Sequence, residues 1–360
     1  GLGVHIRLLA ESPDVSAAQV INDQLVGDYT DLDTLRRAVA DAPVVTFDHE
    51  HVPPEHLATL QSEGHTPRPG PHALLFAQDK AEMRTRLAEL DIPSPRNAPI
   101  TSPADLDAFA ASIGGYPVVL KTTRGGYDGK GVWIVASADD ADEAFASGRP
   151  LIAEEKVDFV RELSALVARS PSGETRAYPV VESRQVDGVC KEVTAPAPDL
   201  DARLDEAARD IAAAVARELD VTGILAVELF ETRDGRILVN ELAMRPHNTG
   251  HWTIDGAHTS QFENHIRAVL DLPLGPTESR QPWAVMVNIL GGSVYDLVAQ
   301  TEIVLRAEPV VKVHLYGKDV KSGRKVGHVT AVGDDLAAVQ HSARRAAQLF
   351  ETGKTLLAKD

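Results

Sequence analysis

The chain has 360 residues, 43% of them hydrophobic and 25% charged, with a formal net charge of −17. This suits two or three ordinary globular domains, and the strong acidity argues against nucleic acid as a partner. Cys190 is the single cysteine, which excludes a disulfide within the chain and points to a reducing cytoplasm; no apolar run approaches the roughly 18 residues needed to span a membrane.

The chain opens strand-like. Val4, Ile6 and Leu8 alternate, giving a strand from Val4 to Leu9, and without an initiator Met further residues are expected ahead of Gly1. A helix from Asp31 to Ala40 and a strand from Ala42 to Phe47 follow, an alternation that predicts a small parallel α/β layer. Phe47 to His56 is rich in His and Glu, but its prolines break any helix and it does not fit H-E-x-x-H. We read it as a loop at the C-terminal edge of the first sheet, where ligands often sit. Pro67-Arg-Pro-Gly-Pro71 marks a break, and a helix from Gln78 to Leu90 ends at Asp91-Ile-Pro-Ser-Pro95.

Strands at Pro117–Lys121 and Trp133–Val135 flank a loop that holds four glycines and the cations Lys121, Arg124 and Lys130. Glycines let a backbone close on a ligand and aim N–H groups at it, and the cations suit a polyphosphate. The flanks favour a β-hairpin flap over a strand-to-helix turn; a flexible hairpin with solvated lysines is the plainer alternative. Leu151 to Val157 is a strand running into an acidic linker, able to offer backbone groups to an adenine edge. A strand from Glu162 to Arg169 turns at Pro171-Ser-Gly173 and returns over Tyr178 to Glu182. Asp201 to Leu219 is a helix with Leu204, Ala208, Ile211, Val215 and Leu219 on one face. Gly223–Glu231 and Arg236–Met244 form a hairpin about Arg233-Asp-Gly235. Short strands follow at Ala284–Leu290, Val310–Tyr316 and Val326–Ala331, and an amphipathic helix from Asp335 to Phe350 closes the chain.

That hairpin sets Glu228 almost opposite Glu241, each inside an apolar strand. Two carboxylates about 4 Å apart repel by roughly 4 kcal/mol at an effective dielectric near 20. Sheets avoid this unless a cation intervenes, and Mg²⁺ takes one or two carboxylates plus phosphate oxygens. A slipped register or a protonated pair is the alternative. Downstream, Arg245, His247, Asn248 and His251 offer dense donors for an oxygen-rich ligand; no third ligand follows the histidines at a zinc-like spacing. Gly317 to His328 is a basic turn whose Arg324 and Lys325 suit a phosphate monoester, or else a charged hairpin tip.

Together these segments resemble the ATP-grasp superfamily and, within it, the N5-carboxyaminoimidazole ribonucleotide synthetase family. The most specific pieces are Arg124-Gly-Gly-Tyr-Asp-Gly-Lys-Gly131, Asn240-Glu-Leu-Ala with Arg245-Pro-His-Asn, Gly250-His-Trp252, and Gly323-Arg-Lys-Val-Gly-His328. The resemblance implies an α/β and α+β architecture. Residues 1–77 would be a Rossmann-like pre-ATP-grasp domain lacking its first strand and Gly-rich loop. Residues 78–275 would be the ATP-grasp domain, with a flap at about 115–180, and residues 276–360 a small β-rich domain.

It also implies roles. Lys80, Lys121, Gly126, Tyr127, Gly129, Lys130 and Asn240 would line the ATP site. Glu154, Glu155 and Val157 would frame the adenine, and Glu162 the ribose. Glu228 and Glu241 would hold Mg²⁺. Tyr127, Asp128, Arg245, His247, Asn248 and Thr249 would surround the aminoimidazole ribonucleotide and the bicarbonate-derived group, with Lys318, Arg324 and Lys325 on the 5′-phosphate. Arg245, Asp128 and His247 would be catalytic, with Asp128 or His247 accepting the amine proton. The implied reaction is ATP-dependent carboxylation through carboxyphosphate in purine biosynthesis, by a homodimer. Two other readings stay open. Another ATP-grasp ligase, such as the formate-using glycinamide ribonucleotide transformylase or a biotin carboxylase, would share the ATP machinery, although the Arg324–His328 turn argues against both. A silent nucleotide-binding module would have no need of paired carboxylates.

Overall fold

The computed structural model describes residues 2–126 and 130–354. Its frame is a nine-stranded sheet that contains the hairpin read at 223–244 and adds a strand, Val189–Ala195, not read from the sequence. The order runs Ile237–Ala243, Gly223–Thr232, Phe159–Arg169, Val181–Val186, Val189–Ala195, Trp283–Leu290, Lys325–Gly333 and Lys312–Leu315, with Thr175–Ala177 also on Phe159–Arg169. Every pairing is antiparallel. Glu192 pairs with Val287, so the sheet continues into the C-terminal region without a break.

Both faces are covered, by alternate residues. The helix Ala202–Glu218 lays Ala208, Ala212, Val215 and Ala216 against Val167, Leu225 and Val227. On the other face Leu166, Ile224, Ala226 and Met286 pack with Trp252 and Ala268. Glu162, Ser164, Glu228, Glu241, Asn288 and His328 share the parity of this second face. The helix Gln261–Val269 covers one end of it and leaves the end with the glutamates open.

A separate four-stranded sheet has the order Asn97–Ile100, Leu151–Glu155, Val118–Thr122, Val132–Val135. Val118–Thr122 and Val132–Val135 pair antiparallel, so the glycine loop is a hairpin loop. Gly131 sits at φ 72°, and a Cβ there would lie 2.7 Å from the Thr122 hydroxyl, so only glycine fits the close return of the loop.

The N-terminal layer differs in detail from the alternation. The first strand is Arg7–Ala10, paired in parallel with Asp23–Val26, a strand too polar to stand out in the sequence. Val4 and Ile6 are exposed and have no sheet to face. Ala42 to Phe47 contributes only the parallel bridge between Val45 and Pro67. The helix expected from Gln78 is two helices, Pro71–Gln78 and Lys80–Glu89. Asp79 divides them because its extended backbone ends the first, while its carboxylate accepts from the Ala81 and Glu82 N–H groups and caps the second. Tyr178 likewise interrupts the expected return strand; its buried hydroxyl donates to the Thr259 carbonyl at 3.0 Å. Helices at Pro103–Ile113 and Leu297–Ala307 add to those read from the sequence.

Candidate functional site

Glu228 and Glu241 are direct cross-strand partners. One step further the register slips: Leu229 pairs with Val239, leaving Asn240 as the extra residue of a bulge. Both glutamates face a cavity of about 560 Å³ lined also by Lys80, Gly126, Arg245, His247 and the loop residues Asp48 to Val52. Lys80 Nζ lies 2.8 Å from Glu241 Oε1, and His247 Nε2 lies 3.2 Å from Glu228 Oε1. Burial alone would raise the Glu228 carboxyl, but the hydrogen bond and charge of His247, with Lys325 and Lys80 behind it, hold it below the ordinary range. Glu162, on the same face, is pushed up to about 7 by burial and then by the neighbouring Glu228 charge. Two hard carboxylate oxygen donors beside room for phosphate fit Mg²⁺.

Lys121 leaves the small sheet towards the same strand. Its Nζ lies 2.7 Å from Glu154 Oε2 and donates to Asn240 Oδ1 at 3.2 Å. Arg84, one helical turn after Lys80, donates from Nε to Glu154 Oε1 at 2.8 Å. Burial would raise the Glu154 carboxyl, but Arg84 and Lys121 hold it down at about 2. Glu154 is 2% exposed, so its side chain fixes Lys121 and does not face the cleft.

The polar loop after Ala243 is held from three sides. Glu50 accepts from Arg245 Nε at 2.7 Å and from the Met244 N–H at 3.1 Å. The Gln261 side chain accepts from the His247 N–H at 2.9 Å and donates to the His247 carbonyl at 2.7 Å. Thr249 is 1% exposed; its hydroxyl lies 2.8 Å from His247 Nδ1 and 2.8 Å from the Ser164 hydroxyl. It therefore orients His247 from behind and does not reach the ligand cleft in which the sequence reading set it. Asn248 exchanges hydrogen bonds with buried Asn288, at 3.1 and 2.7 Å.

The basic turn arrives from the C-terminal strands. Lys318 stacks over Tyr316, 5.5 Å from the ring centroid. Burial lowers the Lys318 ammonium; Arg324 and Lys325 add to this, and Asp48 of the cavity rim opposes it. Lys325 also acts on Glu228, so the turn stands beside the carboxylate pair. Gly291 ties the turn down, donating to the Arg324 carbonyl at 2.8 Å and accepting from the Gly323 N–H at 3.1 Å.

Other residues singled out in the sequence are more scattered. Glu155 pairs with Arg96 on the outer side at 2.7 Å. Val157 is half-buried on the link between the two sheets, and Lys130 is exposed at the flap. Tyr127, Asp128 and Gly129 lie outside the described residues. Sequence reasoning passed over Glu50, Arg84, Ser164 and Gln261, which act by holding other groups. The one signal for Arg84 was an arginine four residues after Lys80, between the apolar Met83 and Leu87.

Comparison with known proteins agrees with this arrangement. Models of the ATP-grasp domain, the phosphoribosylaminoimidazole carboxylase C-terminal domain and the ribonucleotide synthetase preATP-grasp domain match residues 85–262, 284–342 and 1–78. The N5-carboxyaminoimidazole ribonucleotide synthase of Mycobacterium tuberculosis is 51% identical, over 98% of this chain and 84% of that protein. Its Pseudomonas aeruginosa counterpart is 40% identical, over 94% and 91%. The crystal structure of N5-carboxyaminoimidazole ribonucleotide synthetase from Thermus thermophilus superposes with a TM-score of 0.87 at 37% identity, covering 100% of this chain and 94% of that one. The Aspergillus clavatus N5-carboxyaminoimidazole synthase, solved with ADP and 5-aminoimidazole ribonucleotide, gives 0.88 at 30% identity, covering 97% and 93%.

Proposed function

The chain belongs to the N5-carboxyaminoimidazole ribonucleotide synthase family, and on that premise we propose that it uses ATP and bicarbonate to carboxylate 5-aminoimidazole ribonucleotide. The enzyme is an ATP-grasp ligase forming a C–N bond. The observation that carries the reading is that Glu228 and Glu241, Lys80, Arg245 and His247 converge on one cavity, with the Lys318–Lys325 turn at its side.

Bicarbonate is a poor electrophile because hydroxide leaves badly; phosphorylation to carboxyphosphate corrects this, and ADP departs. Lys80 and Lys121 hold phosphate oxygens and offset charge developing on the transferring phosphoryl group. Mg²⁺, held by Glu228 and Glu241, supplies the remaining neutralisation when bound. Gly126 lines the cavity beside the phosphates and helps exclude water from an intermediate that hydrolyses readily. Val157 and Glu162 frame the nucleoside part of ATP.

Arg245, fixed by Glu50, presents its remaining guanidinium donors to the carboxyl group in transit. Asn248 and Arg245 orient the aminoimidazole, and Lys318, Arg324 and Lys325 hold its 5′-phosphate. The exocyclic amine attacks the carboxyphosphate carbon, phosphate leaves, and the amine proton passes to Asp128 or to His247. Thr249 can donate to His247 Nδ1, or accept from it while donating to Ser164, so it orients the ring whether or not Nδ1 carries a proton.

Among the described residues no helix is long and apolar enough to cross a membrane. We assign the enzyme to the cytoplasm, as the single cysteine suggests, and to a homodimer, as the family resemblance implies; sedimentation checks the latter. The central test is ADP release. It should require both bicarbonate and the aminoimidazole ribonucleotide, with formation of the carboxyamino product. ADP release indifferent to the ribonucleotide would remove the assignment.

A further inference from the structure

Arg84 is 1% exposed and joins three parts of the site. Besides Glu154, its guanidinium donates to the Val239 carbonyl at 2.9 Å and the Asn240 carbonyl at 2.7 Å. Those carbonyls flank the bulge that leaves Asn240 unpaired, on a strand at the edge of the large sheet. A bulge frees backbone groups from the ladder, and buried carbonyls need donors. Arg84 supplies two in the fork geometry that lysine lacks. The aim of Asn240 and Glu241 into the cleft thus rests on a residue outside it. The same guanidinium decides the charge around Lys121. Glu154 has one carboxylate and two cationic partners, Arg84 and Lys121. With Arg84 present the cluster carries one surplus positive charge; without it, Glu154 and Lys121 cancel.

We propose that Arg84 is a positioning residue for the ATP reaction. By neutralising Glu154 it leaves the Lys121 charge free for a nucleotide phosphate, and by capping the bulge it fixes the strand bearing Asn240 and Glu241. This rests on the ATP-grasp reading above. It adds that nucleotide affinity follows the net charge of the Arg84–Glu154–Lys121 cluster, while turnover follows the capping of the two carbonyls.

The test uses the full chain and compares wild type with R84M, R84K and the double variant R84M/E154Q. ADP affinity is read by calorimetry with Mg²⁺ present, and kcat by coupled ADP release. R84M should weaken ADP at least about tenfold, the scale of truncating one partner of a buried ion pair. The double variant restores the surplus charge and should return ADP affinity to within about threefold of wild type, with kcat still down at least about tenfold. R84K should separate the effects in the same way, near-normal in ADP affinity and low in kcat. R84M binding ADP like wild type, or the double variant binding no better than R84M, would overturn the proposal. If R84M fails to fold, the double variant and R84K decide: ADP affinity more than about tenfold weaker in both, with melting temperatures near wild type, overturns it. A wild-type enzyme whose turnover ignores the ribonucleotide would sink the functional reading instead, leaving the ADP comparison intact.

Discussion

Replacing Glu241 by glutamine keeps the shape of the side chain and an acceptor for Lys80, 2.8 Å away, but removes one unit of negative charge from the paired carboxylates. By Coulomb's law, a divalent cation about 4 Å from that charge gains about 2 kcal/mol at the dielectric of water and about 8 kcal/mol at an effective dielectric near 20. The Glu241 side chain is 40% exposed, so solvent screening puts the loss nearer the lower figure. About 3 kcal/mol corresponds to about 10²-fold in apparent Mg²⁺ affinity. The assay titrates Mg²⁺ at saturating ATP, bicarbonate and ribonucleotide while following ADP release. E241Q should need about 10²-fold more Mg²⁺ for half-saturation, and E228Q should behave alike, because the two side chains share one cavity. A wild-type Mg²⁺ midpoint in E241Q, with the fold intact by circular dichroism, would show that the pair does not hold the ion, and the argument from opposed carboxylates would collapse.

Three further changes probe the surroundings. T249V should lower kcat at least about tenfold and cost about 1–3 kcal/mol in denaturant stability, since it strips partners from His247 and Ser164. T249S should restore both, and equal activity in T249V and wild type would count against Thr249 orienting His247. In G291A the added Cβ would fall 2.1 Å from the Lys321 carbonyl oxygen, so the basic turn must shift. The KM for the ribonucleotide should rise with ADP affinity unchanged; a loss of both would place the turn elsewhere in the mechanism. His265 concerns stability against pH. Its Nδ1 accepts from the Ile224 N–H at 3.1 Å and its Nε2 lies 2.7 Å from the Thr46 hydroxyl, and burial lowers its pKa from 6.5 to about 4. A depressed imidazole favours the neutral fold, so this contribution is complete above 6.5 and fades as pH falls towards 4. The linkage amounts to about 3 kcal/mol. H265Q should flatten the stability profile between those limits, and an unchanged slope in denaturant titrations at pH 7, 5.5 and 4.5 would contradict it.

The sequence on its own determined what short-range rules control. Alternation and an Arg-Asp-Gly turn set the hairpin, whose register beside the turn would pair Glu228 with Asn240; the bulge at Asn240 is what brings Glu241 opposite Glu228. The glycine loop between two short strands was legible as a hairpin loop for the same reason. The periodicity of 201–219 gave the helix that covers one sheet face. Tertiary structure decided what depends on residues far apart in the chain. Glu50 reaches Arg245 across 195 positions, and Arg84 reaches Val239 across 155. No local pattern marks such partners, because what selects them is the need to satisfy buried charge and freed carbonyls, and that need exists only after the chain has packed. Glu154 and Thr249 show the same limit from the other side. Their residue types suit a ligand, but burial turned both inward, to hold Lys121 and His247 in place.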